Sequence, residues 1–142
     1  MRSKPSNAQR DAPAADTGVQ APPGYKFLLC EKTFAGFRKS LSGKDLDDAV
    51  QLCLVEGDIR LLRIAGARAR RDGATAAREA DALGRMAASL GFLQAAGLAW
   101  QLENACLSGT ATLDLIGRLS EAFQISSAML DALLRRDAIA GP

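Results

Sequence analysis

The 142-residue chain contains no histidine. Imidazole acid–base catalysis, histidine metal ligation and phosphohistidine formation are therefore excluded from its own chemistry. Its reactive side chains are few. Cys30, Cys53 and Cys106 are odd in number and form no Cys-x-x-Cys pair, so neither a disulfide framework nor a zinc site follows. Free buried thiols in a reducing compartment are the expectation, and Cys106 falls on the apolar face of its helix. Ser89 and Ser108 lack a base at motif spacing. Asp81 and Arg85 remain, four residues apart in "ADALGRMAASLG" and able to meet across one helical turn. Glu79 is two positions from Asp81 and points off its face. Nothing nearby in sequence offers the oxygen ligands of a hard-cation site. No catalytic residue, metal or cofactor is expected.

The elements that must position Asp81 and Arg85 are helical. Ala76, Ala80, Leu83, Ala87 and Leu90 recur on a 3.6-residue period and predict a helix from about Thr75 to Leu90, with Asp81, Arg85 and Ala88 on the opposite face. A second helix follows Gly91, with Leu98, Leu102 and Cys106 inward. "LSGTAT" reads as a turn, and a last helix runs from about Leu113 to Arg135. Upstream, "KDLDDAVQLCLVEGDIRLLRIAGARARRDG" has apolar positions at Leu46, Val50, Cys53, Leu54, Leu61, Leu62, Ile64 and Ala65. Gly57 and Asp58 either divide it into two helices or mark a weak point. Asp72 and Gly73 stop it. Phe27, Leu28, Cys30, Phe34, Phe37 and Leu41 approximate one more stripe, ended by Gly43. It either caps the bundle or docks a partner. Residues 1–24 lack periodicity and hold four of the five prolines, which predicts a disordered tail ahead of one domain over 25–142. The fold class is all-α: an antiparallel four-helix bundle with an additional N-terminal helix.

The hydrophobic fraction is 48% but the aromatic fraction only 5%, so close helix packing through alanine and leucine should build the core. The start of the chain has no hydrophobic signal core, and no apolar run reaches the roughly 18 residues of a membrane span. A cytoplasmic protein with no membrane partner is expected. A net charge of +2 does not argue for nucleic acid.

The segment around Asp81 resembles the motif of histidine phosphotransfer (Hpt) domains, H-x-L-K-G-x-x-x-x-L-G followed by a helix ending in Leu-Glu. The matching positions are Asp81, Leu83, Gly84, Arg85, Leu90 and Gly91, then Leu102 and Glu103. The resemblance covers roughly residues 54–136. It implies a bundle whose phosphorylated histidine position holds Asp81, whose lysine position holds Gly84 and whose glycine position holds Arg85. The buried leucines are kept while the reactive group is gone.

The resemblance thus implies a degenerate Hpt-like module that regulates two-component signalling by binding a histidine kinase or a receiver protein without phosphoryl transfer. Arg78, Asp81, Gly84, Arg85, Ala88 and Gln94 are its expected partner-binding residues. Leu93 and Phe92 either add an apolar contact or close the bundle. Asp81 is either solvated surface or a stand-in for the negative charge of phosphohistidine. The alternative is a small helical DNA-binding or transcription-associated regulator. For it, "LIGRLSEAFQISSAMLDALLRR" has faint helix–turn–helix spacing with a turn near Gln124, though it reads equally as one helix.

Overall fold

The computed structural model describes residues 28–41 and 43–140; the expected tail at 1–24 and Phe27 lie outside them. Among the described residues five helices follow one another: α1 (Glu31–Phe37), extended by a 3₁₀ turn at Arg38–Ser40, α2 (Gly43–Ala69), α3 (Gly73–Leu90), α4 (Leu93–Ser108) and α5 (Leu113–Ala140). No strand occurs among the described residues. Helices α2 to α5 form an antiparallel bundle, and α1 packs across α3 as the additional N-terminal helix.

The short connections explain the antiparallel order. Arg71 takes a left-handed conformation (φ 61°) that ends α2. Asp72 then caps α3, accepting the backbone N–H of Thr75 at 3.1 Å and its hydroxyl at 2.7 Å. Asp72 and Gly73 therefore start the next helix as well as stop the previous one, and α3 opens two residues before the expected Thr75. At the other end of α3, Gly91 is left-handed (φ 87°), and a Cβ there would come within 2.5 Å of the Cys30 carbonyl oxygen. The Gly91 carbonyl in turn accepts the Cys30 N–H at 2.8 Å, which ties the N-terminal segment to this turn.

The stripe of Ala76, Ala80, Leu83, Ala87 and Leu90 is buried as expected, as are Leu98, Leu102 and Cys106. Phe34, Phe92 and Phe123 fill the centre, with Phe92 and Phe123 edge to face at 5.6 Å. Phe92 thus closes the bundle, while Leu93 remains exposed. Ser126 of α5 is fully buried and donates to the Leu28 carbonyl at 2.7 Å, so its hydroxyl is satisfied.

Several expectations are corrected. Gly57 and Asp58 do not divide the segment: α2 is one continuous helix. Gly57 is buried because the Phe123 ring of α5 sits against its backbone. Leu62 and Ala65 do not join the core but face outward. Gly43 does not end α1, which finishes earlier, but opens α2. Helix α5 is unbroken through Gln124, so the helix–turn–helix turn is absent; Gln124 instead donates to Asp58 of α2 at 2.8 Å. Of the cysteines only Cys106 is buried, whereas Cys30 and Cys53 are partly exposed.

Candidate functional site

Helix α3 presents Arg78, Asp81 and Arg85 away from its buried alanine stripe. Arg78 is exposed and donates to the Thr75 hydroxyl at 3.1 Å, which props it along the first turns of the helix. Arg85 makes a charge-assisted hydrogen bond to the Asp81 carboxylate. The two partners differ in setting: the Asp81 side chain is 19% exposed and that of Arg85 73%. Asp81 is therefore not ordinary outer surface. It sits on the shoulder of α3, and its accessible side is spanned by the guanidinium of Arg85.

One turn along from Asp81, α3 meets α4. Gly84 is buried, and a Cβ at this position would meet the Trp100 indole nitrogen at 2.6 Å. The indole of α4 thus lies directly on the α3 backbone at Gly84, where the resemblance implies a lysine. Gly84 cannot contact a partner as a side-chain position, contrary to its place among the expected binding residues. It acts by admitting Trp100. Ala88, two turns beyond Asp81, is half-buried. Trp100 itself was not singled out by the sequence, although the signal was present: it is the sole tryptophan in an aromatic-poor chain.

Gln94 is exposed on the first turn of α4. It belongs to the far end of this face, since Arg78 lies twelve residues before the end of α3, about 18 Å along its axis. The structure therefore pairs Asp81 with Arg85 one turn from the Gly84–Trp100 contact, and leaves Arg78 and Gln94 as flanks. Ser89 turns its hydroxyl back to the carbonyls of Arg85 and Met86 and leaves the helix termini intact.

Glu79 points away from Asp81, as expected. It pairs with Arg60 of α2 at 2.8 Å, and Arg60 also bonds Glu56 at 2.7 Å. The hydrogen bonds that Arg60 donates to Glu56, reinforced by the one it donates to Glu79, raise the Arg60 pKa despite partial burial. Glu79 thus serves the α2–α3 seam. Among the described residues no group of three or more Cys, Asp or Glu side chains is arranged to hold a metal ion. The thiols differ in character. Burial pushes Cys106 up, against a smaller opposing effect of Arg68; burial and then the Glu56 charge push Cys53 up; the Thr33 hydroxyl, 3.3 Å from its sulfur, holds Cys30 down.

The Hpt domain model matches residues 48–136, well over half of the chain and spanning α2 to α5. The chain belongs to the Hpt domain family. No curated protein and no solved structure matches it. Hpt domains act in phosphorelays rather than as enzymes in the usual sense, and their partners are in general histidine kinases and receiver domains. No helix among the described residues is long and apolar enough to cross a membrane.

Proposed function

We propose that this Hpt domain is a non-catalytic binding module. It engages a histidine kinase or a receiver protein and tunes phosphotransfer between other molecules without carrying the phosphoryl group itself. The observation that carries this reading is the Asp81–Arg85 pair on an otherwise intact Hpt bundle. A carboxylate replaces the imidazole, and it is engaged by a guanidinium that projects into the space a partner's active site must enter. Accepting a phosphoryl group on a carboxylate calls for a cation site beside it, and Asp81 has Arg85 and a tryptophan edge as its neighbours instead. Arg85 is the anchor for a partner with an acidic pocket; Arg78 and Gln94 flank it, and Ala88 leaves room beside it.

The test combines labelling with binding. The protein is incubated with active kinases and phosphorylated receivers, then assayed for acid-stable and acid-labile phosphate. No stable label is expected, and phosphorylation at Asp81 refutes the reading. In parallel, calorimetric titration against the same kinases and receivers is repeated with Arg85→Glu and Asp81→Ala. Loss of binding in Arg85→Glu supports this face as the contact; equal binding by both variants and the parent moves the site elsewhere.

A further inference from the structure

Helix α2 carries two apolar faces. One holds Leu46, Val50, Leu61 and Ile64 and is buried in the bundle. The other, on the opposite side of the helix, exposes Leu52 (70%), Val55 (54%), Ile59 (42%) and Leu62 (74%). Their spacing of three, four and three residues is that of alternating core positions in a two-stranded coiled coil, with Gly66 next in the series. No described residue of the chain covers this stripe.

We propose that the stripe pairs with the same stripe of a second copy, making a parallel, two-fold symmetric α2–α2 contact. Charge selects the second copy and its direction. In a parallel pair with Leu52 and Ile59 at the first core position and Val55 and Leu62 at the fourth, Asp58 of one helix faces Arg63 of the other, and symmetry makes the pair twice. Both side chains are exposed. Arg63 has only a loose partner, Glu79 at 3.9 Å, and Asp58 accepts a single hydrogen bond, from Gln124. An antiparallel pair matching Leu52 to Leu62 would instead set Glu56 against Glu56 and Asp58 against Asp58. The segment preceding residue 28 is a poor cover, because "MRSKPSNAQRDAPAADTGVQAPPG" carries no run or period of large aliphatic side chains. Because the stripe lies opposite the core, the two bundles project away from each other when α2 meets α2.

The contact is small. From Leu52 to Leu62 the stripe spans about 15 Å of helix, short of a standard interface of about 800 Å² per partner. The dimer is therefore a weak, concentration-dependent one. It does not depend on kinase or receiver binding and can be tested without either.

The experiment is sedimentation equilibrium of the full chain over a wide concentration range, with helicity and melting checked for every variant. A reversible monomer–dimer equilibrium is expected. Leu62→Asp should weaken it by about tenfold or more, because it places like charges face to face at the seam. Asp58→Arg and Arg63→Asp should each weaken it, and the double variant should restore it. A chain that stays monomeric throughout overturns the proposal, as does a dimer indifferent to Leu62→Asp. A double charge reversal that fails to restore association overturns the parallel pairing.

Discussion

Alanine at Gly57 should fail to stabilise the protein even though it improves the helix. In the interior of an exposed helix, Gly→Ala is worth about 1 kcal/mol in favour of folding. Gly57 is not such a site. A Cβ there would lie 2.2, 2.8 and 2.9 Å from three atoms of the Phe123 ring. The ring cannot simply swing aside, since it is itself fully buried and packed on Phe92. Overpacking of this kind costs about 1–3 kcal/mol. Set against the helix gain, Gly57→Ala should therefore come out roughly neutral to about 2 kcal/mol less stable. Gly117 and Gly97 are internal controls, because a Cβ at either meets nothing within 4 Å. Gly117→Ala and Gly97→Ala should stabilise by up to about 1 kcal/mol. Urea unfolding followed by circular dichroism measures all three. Shrinking the ring with Phe123→Leu should convert Gly57→Ala from a loss to a gain relative to that background, which a double-mutant cycle reads directly. If Gly57→Ala is as stabilising as Gly117→Ala in the parent, the account of α2 as a seat for Phe123 is refuted.

Two further perturbations probe the elements that hold the site. Leu83 is fully buried on the stripe of α3, so Leu83→Asp, which strands a charge there, should cost about 4 kcal/mol or more; a melting temperature equal to the parent's would mean the core is misplaced. The Thr75 hydroxyl and N–H hold the Asp72 carboxyl below its usual pKa, so Asp72 stabilises the fold above the unfolded-state value and that contribution fades as pH falls through the folded value. Asp72→Ala should accordingly lower the melting temperature at neutral pH and converge with the parent in acid, and a gap that persists unchanged at low pH would rule the cap out as its cause.

The helices were legible wherever a helix has one buried face. α3 shows a clean stripe because its outer side carries Arg78, Asp81 and Arg85, and α4 and α5 show theirs through Leu98, Leu102, Leu119 and Leu130. α2 misled because a period of 3.6 reports apolar faces without saying what covers them. With Leu61 and Ile64 inside and Ile59 and Leu62 outside, the pattern reads as apolar all round, and Leu62 was drawn into the core. Glycine misled for a related reason. Sequence rules read Gly57 as a break, but a glycine in mid-helix also permits another side chain to touch the backbone, and which use applies depends on a ring 66 positions away in the chain. The pairing of Asp81 with Arg85 was legible because it is local. The partial burial of Asp81 was not, because spacing along one helix does not report what packs beside it.

That seating ties the three departures from the Hpt motif into one structural change. Glycine in place of the expected lysine lets the Trp100 indole lie on α3, which puts the N–H edge of an indole where the motif has a cation. A cation then returns one residue later as Arg85, in the place where the motif has its small residue, and it turns back on Asp81. With Asp81 at the histidine position, as we propose, the charge beside it moves from the flank to the approach path. Together the three departures give a surface on which anion and cation already satisfy each other, one turn from a tryptophan that fits only because Gly84 has no side chain. A surface of that kind is suited to recognition by shape and by the exposed guanidinium, and a partner must bring an acidic group to Arg85 to compete with the carboxylate it already holds.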